Sequence, residues 1–128
     1  MKSPQRWILV GTLLVLGAFA IHGCGGDDKK NPVTPPTGAD VTITITGISG
    51  ANSYSPSPAN VTVDQTVAWR NNDTMAHTAT QTGGGGFNTG SIAAGATSTP
   101  ITITTAGNLD YDCGLHPGQM SGILQVTP

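Results

Sequence analysis

Residues 113–120 read Cys113-Gly114-Leu115-His116-Pro117-Gly118-Gln119-Met120, which sets a thiol, an imidazole and a thioether within eight positions. Thiolate and thioether are soft donors that select copper, zinc or iron–sulfur chemistry over magnesium or calcium. A second imidazole stands upstream at His77. Two imidazoles and a thiolate, with a long axial thioether, make up the donor set of a blue-copper electron-transfer centre. Zinc is the main rival, but three-ligand zinc sites draw on His, Glu and Cys and seldom on Met. Each residue alone has an ordinary structural reading, as a small buried thiol, a satisfied histidine or a gap-filling methionine. Their conjunction points to a metal site.

Composition limits what can surround that site. At 128 residues the chain supports one domain. Charged residues are 9%, aromatics are few, and 18 Gly and 9 Pro favour short strands joined by turns. The formal charge is -2, but from residue 40 onward Asp40, Asp64, Asp73, Asp110 and Asp112 face Arg70 alone. Nucleic acid, which demands a Lys/Arg footprint, is excluded as a partner. The acidity suits a basic protein partner, and equally plain solubility.

The N-terminus has the layout of a secretory signal: Lys2 and Arg6, then an apolar stretch over residues 7–21, then small residues. Ile21-His22-Gly23-Cys24 resembles a bacterial lipobox, which implies a signal peptide over 1–23 and a lipidated Cys24. Two alternatives stay open: cleavage after Ala20, since Ala18-Phe19-Ala20 fits the small-x-small rule, and an uncleaved anchor, marginal in length for ~30 Å of hydrocarbon. Residues 24–39 hold Gly, Asp, Lys, Asn and Pro with almost nothing to bury, the composition of a flexible tether spanning ~20 Å. The expectation is an exported domain over 40–128, in the periplasm or at the cell surface, held to a membrane through its lipid. Two cysteines in an exported chain would ordinarily pair, but here each belongs to its own motif, so Cys113 is expected to be free.

From Asp40 the pattern turns to period-two alternation, clearest in Val41-Thr42-Ile43-Thr44-Ile45-Thr46. Similar runs recur at 60–63, 66–70, 77–81, 97–104, 109–113 and 122–127, separated by Gly, Pro and Asn-Asn-Asp turns. Seven to eight short strands predict an all-β fold, a Greek-key antiparallel β-sandwich. Trp69 shares a strand face with Val67 and is expected to be the largest core side chain. Cys113 should end one strand, Met120 lead into the last, and His77 begin a strand elsewhere, so that a loop-borne trio closes against one neighbouring residue. The run Gly83-Gly84-Gly85-Gly86 lacks a following Lys-Ser/Thr and helix and is a loop, not a phosphate cradle.

Over residues 54–126 the chain resembles the cupredoxins, particularly the plastocyanin, pseudoazurin and amicyanin group. The resemblance rests on Tyr54-Ser55-Pro56, on Val67-Ala68-Trp69-Arg70-Asn71-Asn72-Asp73, on His77-Thr78-Ala79-Thr80, on Phe87-Asn88-Thr89-Gly90 and on the run from Cys113 to Gly122. It implies one type 1 copper ion cycling between Cu(I) and Cu(II), with His77, Cys113 and His116 as strong equatorial ligands and Met120 as the weak axial one. The segment between His116 and Met120 departs from the family, being one residue longer than in amicyanin-like members and one shorter than in plastocyanin-like members. The shorter spacing would land on Gln119, whose side-chain oxygen is an alternative axial ligand. Met120-Ser121-Gly122 keeps the family's Met-x-Gly entry into the last strand.

The chain lacks the second loop cysteine of a binuclear copper centre and the His-x-His pairs of a multicopper oxidase. With no acid/base pair and no small-molecule substrate pocket in evidence, catalysis is not expected. The expected function is single-electron transfer to transient redox protein partners, with Met75, Ala76, Leu115 and Pro117 as a small apolar docking patch. Two other readings remain: a copper carrier or storage lipoprotein at the periplasm or surface, and a metal-free adhesion sandwich indifferent to loss of Cys113.

Overall fold

A computed structural model describes residues 38–128; the signal, the lipidation at Cys24 and nearly all of the tether lie outside them. Eight strands follow in chain order: β1 Val41–Ile45, β2 Tyr54–Ser55, β3 Ala59–Thr62, β4 Thr66–Asn71, β5 Thr80–Gln81, β6 Ile101–Thr102, β7 Gly107–Asp112 and β8 Ser121–Thr127. They form two four-stranded sheets, ordered β2-β1-β4-β6 and β3-β8-β7-β5, and no helix occurs among the described residues. The expected β-sandwich is present. Its sheets are mixed, because β1 pairs parallel with β4, and β3 parallel with β8. Hairpin partners such as β7 and β8 remain antiparallel.

Alternation decides which side chains meet between the sheets. Ile43 and Ile45 of β1, Val67 and Trp69 of β4, Leu109 and Tyr111 of β7, and Leu124 and Val126 of β8 are all buried. Trp69 is fully buried, as its strand face predicts. It stacks on Phe87 at 5.1 Å and meets Tyr111 edge-on at 5.7 Å, while Tyr54 packs edge-on against Tyr111 at 4.8 Å. Gly122 of β8 lies under the Tyr111 ring, where any Cβ would overlap the phenol.

Two expected strands are cut short, for visible reasons. Over 77–81 only Thr80–Gln81 forms a strand. His77 exchanges both backbone hydrogen bonds with Ile92, whereas the next two amides donate to side chains: Thr78 N–H to Cys113 Sγ and Ala79 N–H to Thr89 Oγ1. A ladder cannot continue once its donors are diverted. Over 97–104 only Ile101–Thr102 pairs as a strand, since Pro100 has no N–H to give.

The inward-facing row of β4 ends in a polar group, and that of β7 runs on to one just past the strand. After Val67 and Trp69 comes Asn71; after Leu109 and Tyr111 comes Cys113; both are fully buried.

Candidate metal centre

Cys113 follows β7 directly, and Met120 immediately precedes β8. Between them the backbone closes two successive turns, with His116 N–H donating to the Cys113 carbonyl at 3.0 Å and Gln119 N–H to the His116 carbonyl at 3.1 Å. Gly118 adopts φ +75°, a left-handed geometry that glycine reaches without a Cβ clash. Cys113 N–H points across the loop at the Met120 carbonyl, 3.4 Å away. The segment is pinned from outside as well: Gly50 N–H donates to the Gln119 carbonyl at 2.9 Å, and Ser121 N–H to the Gly50 carbonyl at 3.0 Å. His77 comes from the β4–β5 connection, which passes from one sheet to the other.

The ligand atoms of His77, Cys113 and His116 all lie within 4.8 Å of one another. Cys113 Sγ is 3.8 Å from His77 Nδ1 and 3.5 Å from His116 Nδ1. Metal–ligand bonds of about 2.0–2.3 Å put the donors of one trigonal ion roughly 3.5–4 Å apart, so this spacing suits a single ion. His77 and Cys113 are fully buried, and His116 is half-buried.

The sulfur is prepared to ligate. Burial pushes the Cys113 thiol up, but the Thr78 amide, the two histidines and the Leu115 amide together outweigh it, drawing its pKa down to about 6. The thiolate is the form that binds metal. Thr78 braces the site twice, donating its N–H to Sγ at 3.3 Å and accepting the Gly114 N–H on Oγ1 at 2.8 Å. The carbonyl of Thr78 in turn accepts the Tyr54 hydroxyl at 2.6 Å. One thiolate and two imidazoles form the soft, mixed set that favours copper.

Met120 is buried at 1% exposure, whereas Gln119 is exposed. Leu115 at 51% and Met75 at 44% are exposed large apolar residues; Pro117 is exposed and Ala76 partly so. Cys113 is a free thiol.

Two residues that touch the site were not singled out by sequence. Thr78 is hidden because a threonine in an alternating run reads as a strand residue. Asp73 reads as turn punctuation, yet its Oδ2 lies 2.7 Å from His77 Nε2, and that contact holds its carboxyl below the usual range. The only sequence sign was the four-residue step to His77, which is common in turns.

The chain matches no known family model and no curated protein. Among solved structures it is similar to a purple cupredoxin from Nitrosopumilus maritimus, at 27% identity over 69% of this chain and 100% of that one, with a TM-score of 0.59. A copper-containing nitrite reductase from Thermus scotoductus SA-01 matches at 27% identity and TM-score 0.58, over 69% of this chain but 22% of the reductase. A variant of amicyanin in its reduced Cu(I) form matches at 25% identity and TM-score 0.58, over 70% of this chain and 83% of amicyanin. In fold, and in the Cys-His-His group its loops assemble, the chain is cupredoxin-like.

Proposed function

We propose that this protein is a single-electron carrier, exported and tethered to a membrane through Cys24, with one copper ion that His77, Cys113, His116 and Met120 would hold. The observation that carries the reading is the convergence of Cys113 Sγ with the two Nδ1 atoms at 3.5 and 3.8 Å. When bound, copper supplies a one-electron couple between Cu(I) and Cu(II).

The protein's part is to hold the donors still. His77 hangs from a buried backbone exchange with Ile92, Cys113 from Thr78, and the loop between Cys113 and Met120 from its own turns and Gly50. Donors fixed in this way have little freedom to rearrange between oxidation states, which keeps the reorganisation cost of electron transfer low. Burial of Met120 beside an exposed Gln119 favours the thioether as axial donor. His116 alone of the three is part-exposed, and Leu115 and Met75 provide apolar surface suited to a brief encounter with a redox protein. The nitrite reductase match covers a minor part of that enzyme, 22% of its chain.

Adding Cu(II) to the purified full-length chain should produce intense visible thiolate-to-copper absorption and a reversible one-electron wave. Absence of the band would overturn the copper assignment, and a band without reversible cycling would move the protein to copper delivery. Mass spectrometry of the native N-terminus should find a lipidated Cys24; an unmodified start at residue 21 would remove the anchor.

A further inference from the structure

His77 has two ring nitrogens, and the structure accounts for both. Nδ1 faces Cys113 Sγ at 3.8 Å, while Nε2 meets Asp73 Oδ2 at 2.7 Å. The imidazole is fully buried and the carboxylate side chain is 18% exposed. The carboxylate is itself held: Thr74 N–H donates to its Oδ1 at 2.7 Å, and Asp73 N–H donates to Asn71 Oδ1 at 2.9 Å. Asn71, at the buried end of β4, gives its amide protons to the carbonyls of Met75 at 2.7 Å and Ile92 at 2.9 Å. Ile92 is also the backbone partner of His77. Asp73 and His77 are thus suspended from one hydrogen-bonded knot. On the other side Gly47, at φ +121°, leaves room where a Cβ would stand 3.4 Å from Asp73 Oδ2.

We propose that Asp73 is a positioning residue for the metal centre: it accepts the Nε2 proton of His77, leaves the Nδ1 lone pair free to ligate, and places a negative charge behind that ligand that favours Cu(II) over Cu(I). A neutral imidazole carries one proton, and the nitrogen facing a carboxylate keeps it. Partners of this kind fix the ring's orientation and raise its basicity as a donor. No carboxylate stands behind His116 among the described residues, so the two imidazoles are unequal by construction. The inference rests on the copper reading above.

Two variants of the full-length chain separate its parts. Asp73→Asn keeps an acceptor oxygen for the Nε2 proton but removes the charge; Asp73→Ala removes both. Nitrogen-15 NMR of histidine in the metal-free protein should find Nε2 protonated in the wild type and in Asp73→Asn, and a mixture of tautomers in Asp73→Ala. Competition titrations should show Cu(II) binding weakened by about 10–100-fold in Asp73→Ala, with Cu(I) weakened less, so that the reduction potential rises. Asp73→Asn should show a smaller rise. An unprotonated Nε2 in the wild type would overturn the proposal, as would a wild-type ratio of Cu(II) to Cu(I) affinity in both variants. The near-isosteric Asp73→Asn provides the charge test even where Asp73→Ala folds poorly. If the wild type bound copper with no visible thiolate band, the electron-carrier reading would fall, while the metal-free tautomer would still decide the orienting role of Asp73.

Discussion

The two connections that bring the Cys-His-His group together differ in how they hold their histidines. The β4–β5 connection buries His77 completely and occupies its backbone, its Nε2 and its neighbours in hydrogen bonds centred on Asn71 and Ile92. The β7–β8 loop supplies Cys113, His116 and Met120 from one short segment, yet leaves His116 part-exposed beside an exposed Leu115. One side is an anchor and the other a port. The anchor closes on itself through the short-range bonds of Asn71 and Asp73 and is tied across by Ile92, whereas the port combines local turns with ties to Gly50 and Thr78. A single site therefore combines rigidity with access, because the two requirements fall on different segments.

The largest break in this comparison comes from removing the residue both sides share. Cys113→Ser should abolish the visible charge-transfer band on Cu(II) addition and weaken copper binding by more than about 100-fold, beyond what loss of an outer-shell partner costs. A retained band would mean that the sulfur does not ligate.

Next in size is the anchor. Asn71→Ala would strand the Met75 carbonyl and the Asp73 amide and take one of two donors from the Ile92 carbonyl, and should lower stability by about 2–3 kcal/mol in denaturant unfolding. A loss below about 0.5 kcal/mol would show that the knot is replaceable by water and that the two connections are equally loose.

Met120→Gln tests the end of the port that enters β8. Replacing an axial thioether by an amide oxygen should lower the potential and shift the visible spectrum, and an unchanged centre would remove Met120 from the ligands. Gln119→Ala, on the exposed side of the same loop, should leave both unchanged.

The smallest expected effect on stability lies at the port's surface. Leu115→Asp should change stability by no more than about 0.5 kcal/mol while slowing electron transfer to the native partner. Unchanged rates would detach the patch from docking.

Proton linkage sharpens the shared residue in the metal-free protein. Cys113 titrates near 6 in the folded chain against an ordinary value of 9.0, so the unfolded chain binds the extra proton between those limits. Stability should be fully developed above pH 9 and fall as pH drops toward 6. Tyr111, pushed up to about 12 by burial, reverses the trend above pH 10, because the unfolded phenol ionises first. A thermal-unfolding profile flat from pH 6 to 9 would refute the thiolate.

How much could be read in advance varied from residue to residue, with a physical cause in each case. Val41 to Ile45 alternates cleanly and pairs as expected, since one face is buried and the other is not. His77 was expected to start a strand and instead makes an isolated bridge, because the amides after it donate to Cys113 Sγ and Thr89 Oγ1. A pattern of side-chain polarity cannot report a backbone donor that turns to a side chain. The mixed pairing of β1 with β4 and of β3 with β8 was likewise invisible, since alternation is the same for parallel and antiparallel neighbours when one face is buried.

By itself the sequence determined the candidate donor types, their spacing in the loop from Cys113 to Met120, the β-rich character of the domain and the burial of Trp69, because each is a local property of composition or period. Only the tertiary structure decided that His77 meets the thiol with Nδ1, that Thr78 braces the sulfur and that Asp73 stands behind His77. The first two are contacts between the β4–β5 and β7–β8 connections, and the third depends on a turn that Asn71 ties to Ile92, so their geometry exists only once the chain has packed.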